Sequence, residues 1–129
     1  MLALAGCGGT SASPQSVVRA WSRALNSGDD ETAADLFARN ATVIQLGQVL
    51  TLRTHADARR FNHSLPCSGR IVSLSVDGDE VRATFLLGDR PASRCDGPGE
   101  EAAALFRVRH GKIVLWHQVP APEAGAPTV

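Results

Sequence analysis

Apolar residues recur every three to four positions in the first half of this chain and every second position in the second half. These are the periods of a helix and of a half-buried strand, so helices come first and sheet follows. Ser13-Pro14 supplies a capping hydroxyl and a proline for a first turn. Val17, Trp21 and Leu25 then fall at spacing four, with Val18 beside them, and Asn26-Ser27-Gly28 stops the helix. Asp29 and Asp30 can cap a second helix whose apolar face holds Ala33, Leu36 and Phe37 and which is expected to end at Asn40. Ala41 to Leu46 reads as a strand, Gly47-Gln48 as a turn, and Val49 to Leu52 as a short strand pairing back. Thr54-x-x-Asp57 forms a capping box for a third helix that buries Ala58, Phe61 and Leu65 and stops before Pro66.

From Ile71 the pattern is that of a meander. Ile71 to Val76 leads into Asp77-Gly78-Asp79, a strong hairpin signal. Val81, Ala83, Phe85 and Leu87 alternate with Arg82, Thr84 and Leu86, and a Gly/Pro-rich loop follows from Gly88 to Gly99. Ala102 to Arg109 and Lys112 to Val119 are strands joined by the tight turn His110-Gly111. Helices gathered before an antiparallel sheet imply an α+β fold with the helices on one face. The expected organisation is a signal and tether over 1–13, one domain over 14–119 and a disordered Pro/Ala/Gly-rich tail over 120–129. A chain of 129 residues suits one domain with a real core.

Thirteen basic residues balance thirteen acidic ones, so the chain has no overall attraction for phosphate backbones, and nucleic acid is not an expected partner. No apolar run reaches the roughly 18–20 residues needed to span a bilayer. Met1 to Gly6 is apolar and then small, like the end of a secretory signal, and Leu4-Ala5-Gly6-Cys7 resembles the bacterial lipobox. That resemblance implies cleavage before Cys7, a diacylglycerol on its sulfur, a tether over Gly8 to Ser13, and a place outside the cytoplasm at the cell envelope. The alternative is an ordinary terminus with a free thiol. With Cys7 lipidated, Cys67 and Cys95 remain as a pair, and an exported setting permits a disulfide between them. Free buried thiols, or a catalytic thiol with His63 nearby, are the other readings.

The chain resembles the nuclear transport factor 2-like superfamily in its SnoaL-like, polyketide-cyclase-like branch. The residues that carry the resemblance are Val17-Val18-Arg19-Ala20-Trp21, Ala24 to Asp29, Ala34-Asp35-Leu36-Phe37, Ala41-Thr42-Val43 and His110 to His117. The resemblance implies a cone-shaped fold, with three helices packed on a curved mixed or antiparallel sheet of roughly six strands. It also implies a pocket lidded by the first helix and dimers formed through the open sheet face. This fold hosts isomerases, dehydratases, epoxide hydrolases, cyclases and inert binding modules. The steroid-isomerase branch places a Tyr where this chain has Trp21, a general base where it has Gln45, and a second acid where it has Ala103, Ala104 and Leu105. Trp and Gln cannot abstract a proton at neutral pH.

Trp21, Phe37, Gln45, Phe61, Trp116 and Gln118 are therefore the candidate pocket lining, an aromatic wall with two amide anchors; core packing is the plainer reading of the aromatics. Strand alternation puts Trp116 and Gln118 on one face and Leu115, His117 and Val119 on the other. His55 and His63 sit eight apart on the third helix without a metal-ligand spacing, and His110 lies in a turn. Arg82, Arg107 and Arg109 read as a solvated face, and Asp96 is the one carboxylate placed to act as an acid. No metal or cofactor is expected. The leading expectation is a lipid-anchored module that binds a small apolar ligand or a partner without catalysis. The alternatives are an isomerase, cyclase or hydrolase acting on a small apolar substrate, or a structural dimerising domain.

Overall fold

The computed structural model describes residues 12–122; Cys7, the expected tether up to residue 11 and the tail beyond residue 122 lie outside the described residues, while Ser13 caps the first helix. Three helices, α1 (Pro14–Asn26), α2 (Asp30–Asp35) and α3 (His55–Ser64), accompany six strands. The strands are β1 (Phe37–Gln45), β2 (Gln48–Leu52), β3 (Cys67–Asp77), β4 (Glu80–Asp89), β5 (Glu101–Arg109) and β6 (Lys112–Val119). They form one mixed sheet in the order β2-β1-β6-β5-β4-β3. β3 to β6 is an antiparallel meander, and β1 joins it by running parallel to β6. The α+β class with helices ahead of a sheet is the architecture observed.

Local chemistry sets most boundaries. The Ser13 hydroxyl accepts from Ser16 N ahead of Pro14, and α1 buries Val17, Val18, Trp21, Ala24 and Leu25 as one stripe. Thr54 and Asp57 close a reciprocal capping box at the start of α3. The hairpin turns Leu46-Gly47 and His110-Gly111 each hold two residues at positive φ, as two-residue connections require.

Several boundaries differ from the expectation, among them the β1–β2 turn, which centres on Leu46-Gly47 and not on Gly47-Gln48. α2 stops at Asp35, and Phe37 opens β1 instead of closing the helix. Asn40 does not end a helix. It takes φ 63° inside β1, where the register against β6 shifts between Phe37 and Thr42. Asn tolerates the left-handed region both after a helix and at a bulge, so the residue type alone cannot separate the two settings. β3 also begins at Cys67, four residues before Ile71.

The core lies between the helices and the sheet and contains every aromatic residue of the chain, two Trp and four Phe. Edge-to-face contacts connect them: Phe37 to Phe61 at 6.0 Å, Phe61 to Trp116 at 5.1 Å, Trp116 to Trp21 at 6.3 Å and Trp21 to Phe106 at 5.3 Å. Such geometry favours the ring quadrupoles and adds to the burial energy.

Candidate functional site

A cavity of about 390 Å³ opens between the second half of α1 and the concave side of the sheet. α1 contributes Trp21 and Leu25, the β1–β2 hairpin Gln45 and Leu46, and β6 Trp116 and Gln118. β4 and β5 add Phe85, Leu87 and Ala102 to Ala104, and the start of β3 adds Cys67, Ser68 and Gly69. Asp96, exposed in the β4–β5 loop, is the one charged side chain of the lining.

The sheet register brings the two glutamines together. Ile44 pairs with His117 across the parallel β1–β6 contact, so the next residues on each strand lie side by side. Gln45 Nε2 donates to Gln118 Oε1 at 3.0 Å. Gln118 keeps its own NH₂ and Gln45 its own carbonyl, one donor and one acceptor, for a bound molecule. Of the two tryptophans, Trp21 is fully engaged: its Nε1–H donates to Asn62 Oδ1 at 2.7 Å, and Asn62 in turn donates to Ala58 O at 2.8 Å. Trp116 is not. Its Nε1 is the buried side-chain polar atom without a hydrogen-bond partner among the described residues.

α1 is held over the cavity by polar stitches to β3. Ser22 Oγ donates to Gly69 O at 2.7 Å, and Asn26 both donates to Gly69 O at 3.1 Å and accepts from Gly69 N at 2.8 Å. A glycine at 69 also leaves room for the Phe85 side chain, which an added Cβ would meet at 3.0 Å. On the same rim, a disulfide joins Cys67 to Cys95 with Cα atoms 4.4 Å apart. Asp89 Oδ1 accepts from Cys95 N at 2.7 Å and fixes the loop that carries Asp96. Cys67, Cys95 and Asp96 cluster closely enough to suggest a metal, but the two sulfurs are bonded to each other and leave Asp96 as the sole free donor.

Of the six residues expected to line a pocket, Trp21, Gln45, Trp116 and Gln118 meet in this cavity. Phe37 and Phe61 do not reach it. Both are buried in the aromatic core, and Phe37 also borders a separate hollow of about 230 Å³ beside Arg39, Arg53, His55 and Lys112. The reason is the start of β1: once Phe37 is a strand residue, it stacks against Phe61 at the far end of the sheet. The histidines lie outside the cavity lining. His55 Nε2 meets Glu31 at 3.0 Å and its Nδ1 meets Asp35 at 3.3 Å, while His63 meets Asp30 at 2.9 Å. Ala103 and Ala104 line the cavity, whereas Leu105 pairs with His117 in the β5–β6 ladder. Leu25 and Phe85, which periodicity marked only as apolar-face residues, also line the cavity, and so do Leu46 and the disulfide rim, which adjoin Gln45 and the cysteines.

Comparison with known proteins agrees with this architecture. The family model described as the SnoaL-like domain matches residues 18–116. This chain belongs to the SnoaL-like family. No curated protein matches it. Among solved structures it is similar to an NTF2-like protein of unknown function from Cytophaga hutchinsonii ATCC 33406, at 15% identity and TM-score 0.69, covering 88% of this chain and 94% of that one. It is also similar to a candidate ketosteroid isomerase from Kribbella flavida DSM 17836, at 22% identity and TM-score 0.65, covering 90% and 82%. A third is a protein with a ketosteroid isomerase-like fold from Catenulispora acidiphila DSM 44928, solved in complex with trimethylamine. It is 18% identical with TM-score 0.64, covering 85% and 88%. At these identities the likeness establishes the fold, and the SnoaL-like fold carries many chemistries.

Proposed function

We propose that this protein is an exported, lipid-anchored module that binds a small, uncharged, mostly apolar molecule in the cavity between α1 and the sheet, without turning it over. The observation that carries the reading is the composition of the cavity wall. Trp21, Phe85 and Trp116 supply aromatic surface, Gln45 falls where the resemblance to the steroid isomerases puts a general base, Ala103 and Ala104 fall where it puts a second acid, and Gln118 is the hydrogen-bonded partner of Gln45. An amide pair orients a ligand but moves no proton at neutral pH. A volume near 390 Å³ suits a ligand of one to three rings. A protein of this fold, that from Catenulispora acidiphila, was solved in complex with a small molecule, trimethylamine.

The anchor rests on Leu4-Ala5-Gly6-Cys7, and pairing through the open sheet face rests on the habit of the family. The catalytic alternative, an isomerase, cyclase or hydrolase, has Asp96 as its acid. That side chain is exposed at the rim and is the one charged group of the lining.

Mass spectrometry of the protein extracted from its own host's membranes tests the reading in one experiment. The denatured spectrum is expected to show a chain beginning at Cys7 with a diacylglyceryl adduct. The native spectrum is expected to show a co-purifying neutral molecule of a few hundred daltons. An unmodified chain still starting at Met1 would remove the anchor, and a ligand-free native spectrum at high sensitivity would remove the binding role.

A further inference from the structure

The turn between β1 and β2 sets Leu46 in an unfavourable position twice over. The two strands close on the Gln45–Gln48 pair, which leaves Leu46 and Gly47 as the central residues, at φ 52° and 78°. A two-residue turn of this kind takes Asn, Asp or Gly at its first central position. A leucine there strains its Cβ against the backbone. The two other non-glycine residues at positive φ, Asn40 and His110, are of types that visit this region readily. The Leu46 side chain is also 87% exposed, more than any other large apolar residue described.

Neither cost is offset by a contact within the protein, yet the side chain forms part of the cavity rim, next to the Gln45–Gln118 amide pair. Backbone strain of this type persists where function uses it. We infer that Leu46 is a ligand-covering residue: it closes over a small apolar molecule seated against Trp21 and Trp116, and its side chain leaves water only when the cavity is filled. The turn places Leu46 on the cavity lining, and the adjacent Gln45 engages the polar end of the same molecule. This inference rests on the binding reading above and adds a residue that sets affinity.

The test pairs ligand binding with stability, because the two are expected to move in opposite directions. The probe is N-phenyl-1-naphthylamine, a neutral apolar fluorophore, titrated into the full chain. Leu46→Asn places a turn-compatible polar residue at the site. It is expected to raise Tm by roughly 2–5 °C and to weaken probe binding about tenfold. Leu46→Met keeps an apolar cover and is expected to hold the probe within about twofold of the parent, without the gain in Tm. If the parent chain binds no probe, the cavity reading falls and this inference with it. If the parent and Leu46→Asn bind equally, the cavity reading stands and the role of Leu46 is overturned. Unchanged probe binding with lost vesicle association or lost dimerisation in Leu46→Asn would likewise overturn it, assigning the apolar tip to a lipid surface or a second copy. A fall in Tm, or a failure of Leu46→Asn to fold, would contradict the strain argument; Leu46→Gly, which suits the turn and lacks the cover, would then read the covering role, with probe binding equal to the parent's overturning it.

Discussion

Arg90 shows how much one side chain can organise. It lies in the β4–β5 loop, where an arginine defaults to solvent, and it is 8% exposed. Its Nε donates to Leu25 O at 3.1 Å, and one terminal nitrogen donates to Asn62 O at 2.9 Å and Leu65 O at 2.8 Å. The other meets Asp30 Oδ1 at 2.5 Å. One planar fork thus adds a second donor to Leu25 O and Asn62 O, which also accept from backbone N–H groups, supplies the donor to Leu65 O, and neutralises a carboxylate on α2. Replacing Arg90 by Ala removes four hydrogen bonds at once and leaves the buried side of Asp30 without its cation, and a loss of about 3–5 kcal/mol is expected in urea unfolding. Arg90→Lys should recover only a small part, because a single ammonium cannot span three carbonyls and a carboxylate. Nothing in the residue pattern of the loop marks Arg90; its partners are 25 to 65 positions away.

At the level of elements, α2 and α3 are joined by an ionic seam. His55 bridges Glu31 and Asp35, Arg59 meets Glu31 at 2.9 Å, and His63 meets Asp30. The pairs to Glu31 and Asp35 are exposed and contribute little, since solvent screens them. Asp30 is different. Burial raises its proton affinity, but the hydrogen bonds from Arg90 and His63, together with their positive charges, outweigh it and hold the carboxyl below its ordinary value of 3.8. A group whose folded pKa is depressed binds protons more readily in the unfolded chain. Its contribution is therefore complete above the unfolded value and is lost as pH falls through the folded one. Comparing the parent with Asp30→Asn by chemical denaturation should show the parent's advantage at pH 6 shrinking steadily below about pH 4. A difference that stays constant down to pH 2 would show that the Asp30 charge plays no part in the seam.

On the scale of the molecule, two devices hold the sheet and helices as one body. The aromatic cluster runs from Phe37 to Phe106 through the centre of the domain, and the Cys67–Cys95 disulfide ties the start of β3 to the β4–β5 loop. The bridge spans a sequence separation of 28 residues. Closing a loop of that length is worth about 3–4 kcal/mol on the chain-entropy argument. A Cys67→Ser/Cys95→Ser double variant should lose about that much, read as a drop in the urea midpoint with a somewhat steeper slope, because the unbridged denatured chain exposes more surface. The same bridge anchors Cys67 and Asp96 at the cavity rim, so the fold's covalent staple and its candidate site share one edge.

Element type, order and most ends were legible along the chain because they depend on neighbours. The spacing of Val17, Trp21 and Leu25, the Thr54/Asp57 capping box, and the turns at Gly47 and Gly111 act over four residues or fewer. Trp21, Gln45, Trp116 and Gln118 were legible as candidates because family resemblance and strand alternation assign faces. Tertiary structure alone decided where those faces meet. It moved Phe37 from a helix to a strand, and Phe37 and Phe61 from a pocket wall to the core. It turned Asn40 into a bulge, gave Arg90 its four partners, and set Leu46 at the mouth of the cavity. Each of these depends on pairing between distant segments, above all the parallel β1–β6 contact, and no local period encodes the register of such a contact.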